Sequence, residues 1–439
     1  MQKISLLFFT LLAGVWASSL SPNVSNNSLI VYNSNVALVH EERELSLKRS
    51  DTSIVYKGVA SSIDTSSVNV ELPQGITLFS QQYRYDKLTQ VKLLETYLGK
   101  EVQVGKKHYT LLAHNGKSAL VQNKKAKIIS VASKDIIFSA VPRTLLTKPS
   151  LVWNVTVDKN IDSKMKLDYL IRNISWSSDY ILNLDGESAD LIGWITLKNN
   201  SGKAFKDTKL YVLAGDINRA TSKRPQVQKM YARAMADTPV LMENAHEGYH
   251  LYSVGFKVNL ANNEKTQIKF MSQKSLDTKR KYSAFLSNPL YAHGEKTSDV
   301  TQYITLKGLS EAVPKGVVRT YSKFEGTSIL LGETNIGHTP KNTPIQLKLG
   351  KNFDVKVTQT VLKRDDRKHY LNADVKYVVK NESDTVKEIE LLVPFNKKRD
   401  SRVTTKKKFS YVKGNILRFK VRVEANSSKS FRANFDSKR

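Results

Sequence analysis

The sharpest chemical pattern in the sequence is His246-Glu247-Gly248-Tyr249-His250. It matches H-E-x-x-H. On a helix the two imidazoles fall one turn apart on one face and bind zinc, and the glutamate acts on the metal-bound water. The pattern implies a zinc-dependent hydrolase with His246 and His250 as ligands and Glu247 as base. Its context opposes that chemistry. Gly248 at the centre costs a helix about 1 kcal/mol relative to alanine. Leu251-Tyr252-Ser253-Val254 follows at once as a strand pattern. A third ligand is also needed, and Glu264, Asp277 and His293 are available without a framing motif. The opposing expectation puts His250 and Tyr252 on a strand edge and His246 in a loop.

Other chemistry is thinner. Asp185, Asp216 and Arg219 fall near expected strand ends, where ligand-binding residues often sit. The run Leu210 to Ala214 reads as a buried strand, and Gly215-Asp216-Ile217-Asn218-Arg219 is its exit. A carboxylate and a guanidinium there suit either a ligand or a turn and local ion pair, and the turn is favoured. No serine stands in a G-x-S-x-G elbow, and neither a Walker A loop nor a dinucleotide fingerprint is present. The chain has no cysteine, which removes disulfides, thiolate metal sites and cysteine nucleophiles together. No cofactor is expected.

The chain carries 69 basic and 40 acidic residues, a net of +29. Such a charge favours anionic partners, although a lysine-rich composition alone gives the same total. Its placement is uneven. Residues 346–439 hold 25 basic and 11 acidic residues, a net of +14. Within them Lys397, Lys398, Arg399, Arg402, Lys406, Lys407 and Lys408 form a cluster interrupted among charges only by Asp400. The cluster is a candidate docking surface for phosphate-bearing glycolipid; the alternative is a solvated hairpin whose lysines discourage edge pairing. Nucleic acid is not an expected partner, since no recognition helix and no aromatic–basic RNA motif is present.

The elements that must position these residues are strands. Leu417, Phe419, Val421 and Val423 alternate with Arg418, Lys420, Arg422 and Glu424. Val254, Phe256, Val258 and Leu260 alternate with polar or small residues, and so do Val68 and Val70. Each run reads as a half-buried strand. Polar turns separate the runs at Asn199-Asn200-Ser201-Gly202, Asn262-Asn263, Asn381-Glu382-Ser383-Asp384 and Asn426-Ser427-Ser428. No repeat with a fixed period is evident. The expected fold class is all-β, mainly antiparallel, with tandem β-sandwich domains, one short helix and a long central connection. The helix is expected over 87–98, where Leu88, Val91, Leu94, Tyr97 and Leu98 share a face and Gly99 stops it. The connection is 219–247, with one helical stretch expected around Gln226 to Met235.

The first 17 residues read as a secretory signal peptide. Lys3 precedes an apolar run from Ile4 to Val15, and Val15-Trp16-Ala17 places small residues for cleavage before Ser18. Export is therefore expected, with no transmembrane span in the mature chain. The expected domains are 18–148, rich in β-structure, 149–345, a central sandwich, and 346–439, an immunoglobulin-like sandwich.

Several blocks in order resemble a known family. They are Tyr169-Leu170-Ile171-Arg172-Asn173-Ile174-Ser175-Trp176-Ser177-Ser178-Asp179-Tyr180, Gly193 to Gly202, Leu210 to Arg219, Pro314 to Tyr321, Leu331-Gly332-Glu333, His338-Thr339-Pro340-Lys341, and Leu349-Gly350 with Phe353-Asp354-Val355. From about Ile30 to the C-terminus the chain resembles the bacterial mucoidy inhibitor A-like family, whose defining domain has no assigned function. It departs by lacking the long heptad-rich insertion of many relatives. The resemblance implies an exported all-β protein linked to envelope polysaccharide and offers no catalytic residues to carry over. Residues and resemblance together suggest a non-enzymatic envelope protein that binds or organises a partner protein or an anionic glycan or glycolipid.

Overall fold

The structure is a computed structural model that describes residues 18–19, 24–142, 144–214, 243–246, 249–396, 401–412 and 415–438. The protein is mostly β, with 68% of residues in strands and 3% helical, which makes it an all-β chain of tandem sandwiches. Among the described residues the strands form sheets of four, five, seven and thirteen. Most pairs are antiparallel, as short polar turns require. Exceptions include Ile174–Asp185 beside Gly316–Phe324 and Phe205–Ala214 beside Val24–Tyr32, both parallel. At the first, a Cβ on Gly316 would meet the Ser178 carbonyl oxygen at 2.2 Å, so only glycine fits.

By contact the chain divides into two compact units. One holds the described residues of Met1–Trp176, Leu197–Asn218 and Asn244–Thr266; the other holds those of Ser177–Thr196, Arg219–Glu243 and Gln267–Arg439.

In the first unit the strand Val36–Leu47 pairs along its whole length with Ile161–Arg172, and its inward side faces Ser53–Lys57 and Ser150–Val157 of the four-stranded sheet. Trp153 and Tyr56 are buried there edge to face, with ring centroids 5.7 Å apart. A smaller core of the same unit covers the five-stranded sheet with the helix Gln90–Thr96. The Thr89 side chain caps that helix by accepting from the Lys92 N–H at 3.2 Å. The helix is shorter than 87–98, and its apolar face is only partly covered. Leu94 and Tyr97 are buried, while Leu88, Val91 and Leu98 are exposed. About two turns of helix cover one row of the sheet, and the apolar residues off that row stay exposed.

In the second unit the core of the C-terminal sandwich unites Tyr370–Asn381, Lys387–Pro394, Ile416–Val423 and Ser427–Lys438 with Ala284, Leu286, Leu290 and Val300 from earlier in the chain. The alternation over 416–423 holds: Leu417, Phe419, Val421 and Val423 are all buried. Over 254–260 it fails at one position. Phe256 is 59% exposed, because the pairing of Phe205–Ala214 with Tyr249–Leu260 slips between Lys209 and Tyr211 and leaves Phe256 in a bulge. Val68 lies just outside the strand Asn69–Glu71, as the residue that closes a short 3-10 turn.

The polar turns hide a correspondence that no fixed period reveals. Asn199 ends one strand and Asn381 another, and each organises its corner in the same way. The Asn199 Nδ2 donates to the carbonyls of Lys203 and Ala261 at 2.8 and 3.0 Å. The Asn381 Nδ2 donates to those of Thr385 and Glu424, both at 2.9 Å. Each Oδ1 accepts from the N–H and hydroxyl of a serine two residues on, Ser201 or Ser383. Each corner meets a second turn led by an asparagine with positive φ, Asn263 at 60° and Asn426 at 48°. The two units therefore contain the same strand–corner–strand device. Its halves are differently spaced because the intervening connections differ in length.

Candidate functional site

The H-E-x-x-H segment is split between strands. His246 ends Glu243–His246, Tyr249 and His250 open Tyr249–Leu260, and Glu247 and Gly248 lie outside the described residues. The two strands are neighbours in the seven-stranded sheet. The one-turn helical spacing that zinc ligation by this motif requires is thus replaced by a strand-to-strand step. Of the candidate third ligands, His293 is engaged by the Arg364 guanidinium at 2.7 Å. No group of three metal-binding side chains converges among the described residues. Protein purified without chelator is expected to hold far less than one zinc per chain by elemental analysis. Stoichiometric zinc lost in His246→Ala and His250→Ala would restore the hydrolase.

Asp216 and Arg219 lie outside the described residues, as does most of 219–247. Asp185 sits at the end of Ile174–Asp185, on the rim of an open polar cleft of about 660 Å³. Asp190, Arg280, Tyr321 and Lys323 share it. One Asp190 oxygen is already used by the Ser275 N–H at 2.9 Å. The cleft offers donors and acceptors on a floor of strand residues. It suits a hydrated, hydrogen-bonding ligand more than an acid–base reaction.

The most concentrated ionic chemistry is one that inspection of motifs missed. Glu41 and Arg43 occupy inward positions of Val36–Leu47 and are buried, 0% and 4% exposed. The Glu41 carboxylate receives Arg43 at 3.1 Å, the Tyr56 hydroxyl at 2.5 Å and the Lys203 ammonium. Lys203 also donates to the Tyr169 hydroxyl at 3.2 Å, and Arg43 to the Lys57 carbonyl at 2.9 Å while stacking on the Tyr56 ring. Burial by itself would push the Glu41 carboxyl up, but the Lys203 and Arg43 cations outweigh it and hold it below the usual range. Burial pushes the Lys203 ammonium down against the pull of Glu41, and it pushes the Tyr56 and Tyr169 hydroxyls up. Every oxygen of the carboxylate is occupied, so the cluster is closed to substrate and acts as an internal clamp between sheets. The sequence signal was parity: charges stand where Val39, Leu45 and Leu47 set the inward phase.

The residues that carry the family resemblance are mostly core or ion-pair positions. Tyr169, Trp176 and Tyr180 are buried, and the Tyr180 hydroxyl donates to the Pro314 carbonyl at 2.8 Å. Arg319 bridges Asp179 at 3.2 Å and Glu333 at 2.7 Å, joining three of the blocks.

The basic cluster is only partly described. Lys397, Lys398 and Arg399 lie outside the described residues. Arg402, in the edge strand Ser401–Thr404, is exposed, as are Lys406 and Lys408, while Lys407 is half-buried. Arg402 stands opposite Asp436, but the Oδ1 of that carboxylate receives the Tyr370 hydroxyl and the Asn372 amide instead. Four cations elsewhere on this sandwich have counterions: Arg418 and Lys281 on Glu390, Lys420 on Glu388, Arg422 on Glu424. No family model matches the chain, and a search of curated proteins finds no significantly similar sequence.

Proposed function

We propose that the chain is a non-enzymatic exported protein of the cell envelope, akin to the mucoidy inhibitor A-like proteins, that binds or organises an anionic envelope component. The observation that carries this is the contrast on the C-terminal sandwich. Arg402, Lys406 and Lys408 project without a carboxylate partner among the described residues, while Arg418, Lys420 and Arg422 on the strand Ile416–Val423 each sit against a carboxylate. Charge left exposed and unneutralised is available to an anionic surface and attracts it from a distance. The resemblance and the leader-like N-terminus support a surface outside the cytoplasm. A zinc hydrolase is disfavoured because the described residues of its motif, His246, Tyr249 and His250, fall on strands.

Mature protein is expected to sediment with isolated envelopes at low salt and to be released at high salt, because exposed charges are screened over about 8 Å at physiological ionic strength. Protein that stays soluble at every salt concentration would count against the proposal. Export has its own test. Mass spectrometry of the envelope fraction is expected to find Ser18 as the N-terminal residue; an intact Met1 on cytoplasmic protein would contradict it.

A further inference from the structure

Lys376 and Arg432 are direct cross-strand neighbours, on Tyr370–Asn381 and Ser427–Lys438. Both alternate with inward residues, the buried Val375 and Tyr377 on one strand and the partly buried Phe431 and buried Ala433 on the other, so both project from the outer face. Side chains so placed start about 5 Å apart, and like charges there repel. Lys376 is half-buried, which deepens the penalty. Neither has a carboxylate partner among the described residues.

The same face shows what neutralisation looks like. Lys356 and Lys380 are also directly opposed, on Ile345–Arg367 and Tyr370–Asn381. There Asp299 pairs with Lys356 and Lys351, both at 2.7 Å, and Glu382 pairs with Lys380 at 2.5 Å. Those two cations hold the Asp299 carboxyl down to about 2, through their hydrogen bonds and charge. Acids thus pair with the cations two rows along the strand, and none pairs with Lys376 or Arg432 among the described residues.

The row continues toward the basic cluster. The Thr405 hydroxyl donates to the Arg432 carbonyl at 2.7 Å and accepts from the Lys407 N–H at 3.2 Å. The turn that bears Lys406 is therefore seated beside Arg432. Residues remote in sequence, Lys376, Arg432 and Lys406, form one line across strands spaced about 4.8 Å apart. Short side chains stand at the neighbouring positions Val378, Ser428 and Ser430. A flat array of this kind fits a plane of repeated anions better than one small ligand.

Resting on the proposed envelope role, we infer that the outer face around Lys376 and Arg432 docks on a membrane surface, with lipid phosphates supplying the missing negative charge. Arg432 can grip a phosphate through two N–H groups, and Lys376 adds a point charge from the next strand. Phosphate between them removes a repulsion that the free protein carries.

Vesicles of equal parts phosphatidylglycerol and phosphatidylcholine are the probe, with pure phosphatidylcholine as the uncharged control. Mature protein is expected to sediment with the first and not the second. Each cation near an anionic leaflet contributes about fivefold, so the double variant K376Q/R432Q should bind about thirtyfold more weakly. K420Q/R422Q removes the same charge from cations that already have counterions and should change binding by less than about threefold. K376Q/R432Q should also melt no lower than the parent, since it relieves repulsion; a lower melting temperature would assign the pair a structural role and overturn the inference. Equal losses in the two double variants would overturn it too, by showing that only total charge matters. Protein that ignores the vesicles yet binds a soluble anionic polysaccharide would replace the lipid occupant and leave the envelope role standing. Protein that binds neither, and does not sediment with envelopes, would remove both.

Discussion

Glu41→Ala is expected to destabilise the first compact unit by about 3–5 kcal/mol, the range for removing one partner of a buried ion pair. The carboxylate is the only anion in contact with the buried Arg43 and the largely covered Lys203 among the described residues. Without it two cations remain in a low-dielectric site facing two hydroxyls, Tyr56 and Tyr169. Urea denaturation should show the loss as a lowered midpoint of that unit's transition with an unchanged slope. Lys203→Met should cost less, because Arg43 still faces the carboxylate. An apolar triple replacement of Glu41, Arg43 and Lys203 should recover much of the loss, since burying a pair is itself costly.

The same carboxylate fixes an acid limb. Its folded pKa lies below the ordinary value, so the folded state binds its proton less readily than the unfolded state does. The stability it contributes is complete above the unfolded value of about 4.3 and is lost as pH falls through the folded value. Stability of Glu41→Gln should be correspondingly flatter between neutral and acid pH. Were Glu41→Ala within about 1 kcal/mol of the parent and equally acid-sensitive, the clamp would not exist as described.

The second large effect is expected at the paired corners. Asn199→Ala removes two donated and two accepted hydrogen bonds and leaves the Lys203 and Ala261 carbonyls short of partners. At about 1 kcal/mol per bond, with a further penalty for buried groups left unpaired, the loss is about 2–4 kcal/mol. Asn381→Ala should cost about the same, because its bonds are the same. The two corners belong to different compact units, so each variant should shift its own unit's transition. Aspartate at either site keeps the acceptor side and turns the donor side into an anion against carbonyls. It should therefore be as harmful as alanine near neutral pH and partly recover when protonated in acid. A variant at one corner with no effect, beside a large effect at the other, would deny their equivalence.

Much of this was legible in the sequence, and for a definite reason. Alternation has a period of two, and a strand buried on one face writes that period into its side chains. Leu417 to Val423 could be assigned inward and outward without a partner in view. The turns at Asn199, Asn262, Asn381 and Asn426 were equally plain, since asparagine tolerates positive φ and bonds its own backbone. These two signals, repeated along the chain, determine an antiparallel all-β fold.

Alternation does not say which strand lies opposite, and that is where sequence runs out. Phe256 obeys the period and is exposed, because a bulge set by the pairing with Phe205–Ala214 moves it off the face. Glu41 and Arg43 read as an ordinary charged stretch until the opposing sheet covers them and Lys203 arrives from a corner 162 residues away. Lys376 and Arg432 are unremarkable surface cations until the register of two strands sets them face to face. The Asn199 and Asn381 corners match only once the second turn of each is brought alongside. Local chemistry determined the elements; long-range register, fixed by the burial of whole faces together, decided which charges meet a counterion and which are left for a partner.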